Sequence, residues 1–316
     1  MMQLLLNDLS ISDVECSREV AAGRLRVFVK ALKEVSRVTP NYVLNGSVAL
    51  NALSFGSNWP LAALRNAGGC EDENLYLKTI QNRFPFAQTI DALKGPPAEG
   101  FEYALPKHAL FRSGETAMGL GLAHQFGALA ISLATHDFWA EPMIQLEKST
   151  LATSGDIEVE AVNARNASCV ENVTFHRESL LTALKRGIFS GSELWVNREL
   201  LFPNLLFIPR TRAQIESILH AEPTLGPVIE RLSGLNGAIE RWKNLGSDYP
   251  SYPFNVRGES RSRMALVEFA DQDGISRAFS DHADFAPGEG RLHFFLQTVP
   301  TRRALIGHVG RKLGIG

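Results

Sequence analysis

From Gly290 to Leu296 the side chains alternate, with Arg291 and His293 set against Leu292, Phe294 and Leu296. A period of two marks a half-buried strand, because successive Cβ atoms leave a pleated backbone on opposite sides. One face of this strand joins a core and the other carries an imidazole and a guanidinium. The segments MALVEFAD, GISRAFSDHADF and RRALIGHVG read as three more short strands around it. Asp271-Gln272-Asp273-Gly274 joins the first two as a hairpin turn in which glycine supplies the positive φ. The expectation is an antiparallel β module over residues 251–316.

Upstream of it helical periodicity dominates. Leu25, Phe28, Leu32 and Val35 recur at spacings of three and four between Glu19 and Val38, which predicts an amphipathic helix ending before Pro40. A second helix is expected near Asn58 with Pro60 early in it, and a third from Glu71 to Arg83, broken by Phe84-Pro85-Phe86. Gly95-Pro96-Pro97 reads as a turn-rich link to GETAMGLGLAHQFG, a Gly-rich helix feeding an apolar strand at residues 128–134. Alternation predicts two more strands, at residues 142–146 and 156–162, with Gly155 in the turn near their connection. Helices return at His176–Arg186 and as a pair over Gln214–Trp242, interrupted at Pro223 and Pro227. The segment YPSYPFNVRGESRSR then reads as a linker. The predicted class is α+β: a mainly helical body with a small central sheet over residues 1–250, followed by the C-terminal antiparallel β module.

Three cysteines, Cys16, Cys70 and Cys169, lie far apart with no C-x-x-C spacing, which argues against a disulfide framework or a structural zinc and for the cytoplasm. No stretch approaches the roughly 20 apolar residues of a membrane helix, and Asp8 and Asp13 with no basic region before them predict no export signal. The formal charge of −2 makes the whole chain a poor polyanion binder, so any nucleic-acid site is expected to be local.

The local candidate is the C-terminal sheet. His282 and His308 flank the strand bearing Arg291 and His293, and between Arg302, Arg303, Arg311 and Lys312 there is no acidic residue. An imidazole that moves a proton near neutral pH, with cations on developing phosphate charge, is what metal-independent RNA cleavage requires. His282 and His293 are the acid–base candidates, and Arg291, His308, Arg311 and Lys312 the phosphate or nucleic-acid contacts. In outline such a sheet resembles the small RelE-like ribonuclease toxins. The competing reading pairs Arg291 with Asp281 or Asp284 and leaves the histidines structural. Asp156, Glu158 and Glu160 could together hold a divalent cation, but no D/E-x-K spacing accompanies them, and a solvated strand face is the expectation. Gly119-Leu120-Gly121 lacks the surroundings of a dinucleotide fingerprint and is read as helix packing, and His136-Asp137-Phe138-Trp139 as a structural strand. No metal site and no cofactor is predicted.

Leu6-Asn7-Asp8-Leu9-Ser10-Ile11, Thr116-Ala117-Met118-Gly119, Leu201-Phe202-Pro203-Asn204-Leu205 and the series from Asp273-Gly274 through His282 and Gly290-Arg291-Leu292-His293-Phe294 to Gly310-Arg311-Lys312-Leu313 span nearly the whole chain. In this order they resemble a bacterial protein family met in defence-associated gene neighbourhoods. The resemblance implies a component of an anti-phage defence system, effector or accessory subunit, acting with a neighbour-encoded partner such as an ATPase. It implies no reaction. Asp281 stands where members of that family often carry a tryptophan before the histidine, which puts any role of that aromatic in doubt here.

Overall fold

The computed structural model describes residues 2–81, 101–152 and 155–314. The fold is α+β and divides into two compact units, residues 1–184 and 185–316. The breaks expected at Phe84-Pro85-Phe86 and Gly95-Pro96-Pro97 fall outside the described residues.

The first unit is built on a six-stranded sheet in the order β2-β1-β4-β6-β5-β3. Strand β1 (Met2–Leu6) is followed by α1 (Arg18–Val38), whose first turn is capped by the Ser17 hydroxyl accepting from Val20 N–H, and by β2 (Tyr42–Asn45). Helices α2 (Leu61–Ala67) and α3 (Glu71–Ile80) precede β3 (Phe101–Ala104), α4 (Met118–Gln125) and β4 (Leu129–Ile131). Then come β5 (Met143–Leu151) and β6 (Ile157–Ala167), antiparallel over nine residue pairs from Met143↔Arg165 to Leu151↔Ile157. The pairs β2–β1, β1–β4 and β4–β6 are parallel.

The first hundred residues were expected to be mainly helical, and the leucine run at the N-terminus belongs instead to a parallel strand. Leu4 and Leu6 pack towards Leu25, Phe28 and Leu32 of α1, while Leu5 joins Leu120, Ala130, Trp139 and Ile144 in a separate core. A strand buried on both faces shows no alternation, so its period is invisible in the sequence.

Buried polar groups tie the central strands. Asn7 Nδ2 donates to Ser132 Oγ (2.9 Å), Ser132 Oγ donates to Asn166 Oδ1 (2.6 Å), and Asn166 Nδ2 donates to the carbonyls of Trp139 and Glu141 (2.9 and 2.8 Å). Ser10 Oγ donates to the Asn7 carbonyl and accepts from Leu133 N–H. Every link is protein to protein, which is what lets Asn7, Ser10, Ser132 and Asn166 sit fully buried.

Helices α5 (Val170–Phe175) and α6 (Arg177–Arg186) follow β6, and the second unit continues with α7 (Gly191–Leu201), closed by a Ser190/Glu193 capping box. Then come β7 (Leu205–Phe207), α8 (Arg210–Glu216) and α9 (Leu225–Leu245), where Pro227 is tolerated in a first turn whose N–H groups have no intrahelical partner. Strands β8 (Arg257–Gly258), β9 (Glu268–Ala270), β10 (Ser276–Ala278), β11 (Asp281–Phe285), β12 (Gly290–Gln297) and β13 (Arg303–Arg311) follow. Four of them join β7 in a five-stranded sheet of order β7-β13-β12-β11-β8, and β9 and β10 form a separate hairpin whose turn holds Gly274 at φ 77°.

Three expectations are corrected here. MALV is a 3-10 turn rather than strand, GISRAFSDHADF breaks into β10 and β11, and the boundary falls at 184/185 rather than near 250. The last follows from β7, which pairs in parallel with β13 through Ala304↔Leu205 to Ile306↔Phe207, and from α9, which packs on β11 and β13. A parallel partner needs a long crossover, so the sheet recruits residues far upstream.

Gly119 opens α4 against β1: an added Cβ would lie 1.9 Å from the Leu6 carbonyl oxygen, which is backbone and cannot swing away. Gly237 in α9 would meet only the end of Arg241 at 3.5 Å. Gly119→Ala is therefore expected to lower stability by more than about 2 kcal/mol through overpacking, and Gly237→Ala to raise it by about 0.5–1 kcal/mol through helix propensity. Urea unfolding of the two variants checks both signs.

Candidate functional site

Strands β11, β12 and β13 bring three histidines into one row. His282 pairs with His293, and His293 with His308, so directly opposed residues share a face. The rings of His282 and His293 are 5.0 Å apart and those of His293 and His308 5.7 Å. The row lies under the surface, with His282, His293 and His308 only 5, 1 and 5% exposed.

Hydrogen bonds fix the role of most ring nitrogens. His308 Nε2 donates to the Arg311 carbonyl (2.8 Å), while its Nδ1 accepts from Gln214 Nε2 (2.9 Å), so this ring is neutral and fully engaged. Gln214 Oε1 in turn accepts from Val309 N–H, closing the edge of β13 beyond β7. His293 Nδ1 donates to the Phe279 carbonyl (3.1 Å), leaving Nε2 as a lone pair. His282 Nε2 accepts from Arg291 Nη1, and its buried Nδ1 has no hydrogen-bond partner. Arg291 also reaches Asp284 (3.3 Å), which is paired with Arg257.

A fourth residue enters from β8. Arg257 lies opposite His282 and Glu259 N–H donates to the Ser280 carbonyl, so alternation puts Glu259 on the histidine face. Its side chain is 8% exposed; Oε1 accepts from Ser260 N–H and pairs with Arg263 Nε at 3.1 Å. One oxygen of Glu259 and one ring nitrogen each of His282 and His293 all lie within 4.8 Å of one another. Sequence reading missed Glu259 because it stands in the segment read as a linker. The available signal was a lone carboxylate among Arg257, Arg261 and Arg263.

Burial sets the charge states. It depresses all three imidazoles, with Arg291 adding to the effect at His282, and holds His293 down to about 4 despite its bond to the Phe279 carbonyl. Burial would raise Glu259, but Ser260 N–H and Arg263 outweigh it and the carboxyl ends below its ordinary range. Asp281 is pushed up by burial.

The predicted site residues thus separate. His282, His293 and Arg291 belong to the buried cluster, with Arg291 paired to Asp284. His308, Arg311 and Lys312 line a neighbouring cavity of about 850 Å³, with Gln214, Thr224 and Glu289 among its other walls. Among the described residues no ion pair is formed by the side chains of Arg311 or Lys312, whereas the Glu222 carboxylate at the rim is occupied by Leu219 N–H and Thr224 Oγ1.

The remaining motifs stay apart from this region. Glu158 and Glu160 are exposed on β6, opposite Thr150 and Lys148, and Asp156 precedes the strand. Gly121 packs against the Tyr103 ring, in keeping with the helix-packing expectation. His136 stacks on Phe111 at 3.8 Å and its Nδ1 accepts from Phe138 N–H at the start of a 3-10 turn, Asp137–Ala140, which corrects the expected strand. No helix among the described residues is long and apolar enough to cross a membrane. Comparison with family models, with curated proteins and with solved structures returns no match.

Because the three histidines are neutral when folded, the unfolded chain binds more protons below its imidazole pKa of about 6.5. Stability is full above that pH and is lost as pH falls towards the depressed values, by at most about 1.4 kcal/mol per pH unit for each group. Urea midpoints in metal-free buffer are expected to drop between pH 7.5 and 5, and His293→Gln to flatten that slope. An unchanged slope in the variant would remove His293 from the linkage.

Proposed function

We propose that this chain is a cytoplasmic component of a bacterial anti-phage defence system, acting with a neighbour-encoded partner, and that its C-terminal unit binds a small phosphate-bearing ligand. The defence assignment rests on the ordered segments from Leu6-Asn7-Asp8 to Gly310-Arg311-Lys312. The binding role rests on one observation: Arg311 and Lys312, two cations that form no ion pair among the described residues, on the wall of a cavity of about 850 Å³. That volume suits a nucleotide-sized molecule, and charge-assisted bonds to phosphate are the strong ones. The neutral His308 adds a polar wall that Gln214 holds in place.

The second reading, a metal-independent nuclease, draws on the neighbouring imidazoles of His282 and His293 with Arg291 beside them. Against it, His293 is almost completely covered, whereas acid–base work requires hydrogen-bond reach of the substrate. Cleavage of RNA or DNA by the purified protein in chelator, lost in His282→Ala, would favour this reading over the binding one.

Arg311→Ala with Lys312→Ala is expected to weaken binding of nucleoside mono- and triphosphates at least about tenfold, equivalent to about 1.4 kcal/mol. Thermal stability should hardly change, because neither side chain has an ion pair to lose among the described residues. Calorimetric titration measures the first, and phage protection by the native gene cluster should fall in parallel. Protection that survives the double variant would move attention from this cavity to the partner-docking surface.

A further inference from the structure

Glu259, His282 and His293 are separated by up to 34 positions in the chain, yet their ligand-bearing atoms lie within 4.8 Å of one another. We propose that they form a binding site for one divalent first-row transition ion of the zinc class, independent of the phosphate cavity. Two imidazoles and a carboxylate are a common donor set for such ions, with a fourth position left for water or substrate. A tetrahedral site needs its ligand atoms about 3.3 Å apart, so the side chains have only a short distance to close.

The surroundings already do what the outer shell of a metal site does. Metal-bound histidines donate their second ring N–H, often to a backbone carbonyl, and His293 Nδ1 does this to Phe279, leaving Nε2 for the ion. Ligating carboxylates are hydrogen-bonded in turn, and Ser260 N–H and Arg263 hold Glu259 through Oε1. The backbones are fixed by strand pairing at His282↔His293 and by the Glu259–Ser280 bond. At His282 the buried Nδ1 makes no hydrogen bond of good geometry among the described residues, a cost that coordination of an ion would relieve.

Arg291 makes the inference specific. Its guanidinium has donors only, and in the ion-free protein it donates to His282 Nε2. Once an ion takes either ring nitrogen of a neutral imidazole, the other carries a proton and cannot accept from Arg291. Binding must therefore break this bond, with Arg291 falling back on Asp284. Arg291 thus competes with the ion for His282, both as an occupant and as a like charge.

The test is titration of the chelator-stripped full-length protein with Zn²⁺ alone, and with Co²⁺ read by its visible absorption. One equivalent should bind to wild type, Glu259→Gln should weaken binding at least a hundredfold, and Arg291→Met should tighten it about tenfold or more. Circular dichroism establishes that each variant is folded, and Glu259→Gln keeps the shape of the side chain. No stoichiometric binding by either wild type or Arg291→Met overturns the proposal. So does undiminished binding by Glu259→Gln, or a thiolate-to-cobalt charge-transfer band, which would put the ion on Cys16, Cys70 or Cys169. These outcomes are independent of Arg311 and Lys312, so failure here leaves the phosphate reading standing.

Discussion

The pairing register of β12 between β11 and β13 governs everything in the C-terminal unit. Side chains alternate along a strand, so a slip of one residue would send His282, His293 and His308 to different faces and bring Leu292 or Phe294 in their place. The register is pinned by a bulge just after His293, where pairing steps from His293↔His308 to Phe294↔Ile306 and leaves Gly307 unopposed. Phe279 fills the space beside that glycine: its ring lies 2.4 Å from where a Cβ at Gly307 would stand. The same residue supplies the carbonyl that orients His293. One aromatic side chain and its backbone thus tie the bulge, the small core of Ile208, Phe279 and Leu305, and the tautomer of the central histidine together.

Burial then divides the basic residues into two sets. Imidazoles removed from water stay neutral, while guanidinium groups cannot give up their charge and need partners. Arg291, Arg257 and Arg263 find theirs in Asp284 and Glu259 and are part of the architecture. Arg311 and Lys312, at the end of β13, form no ion pair among the described residues and line the cavity. The basic tail that reads as one patch in sequence divides in space: Arg302 donates to the carbonyls of Trp242 and Gly246, while Arg311 and Lys312 line the cavity.

The first unit obeys a different constraint. Its central strands are covered on both faces, so their polar side chains must be satisfied internally, and Asn7, Ser132 and Asn166 form a chain across β1, β4 and β6. The Asn7-Asp8-Leu9-Ser10 segment serves this scaffold: Asp8 accepts from Gly119 N–H at 2.7 Å and Ser10 Oγ accepts from Leu133 N–H.

Local pattern alone determined the amphipathic α1, the β5–β6 hairpin, the break at Pro223 before α9, and the shared face of Arg291 and His293, because periodicity and backbone restriction act over a few residues; Pro227, also expected to interrupt, sits inside the first turn of α9. The parallel strands were not legible: β1 and β7 are short, and a fully buried apolar run carries no period. Nor could spacing reveal that Glu259 meets His282 and His293, that Arg291 is held by Asp284, or that β7 draws the boundary back to 184/185. Those facts depend on which distant segments pair and in which register. Only the closed tertiary structure, by burying one set of side chains and leaving the other in water, decided which histidines stay neutral and which cations stay free.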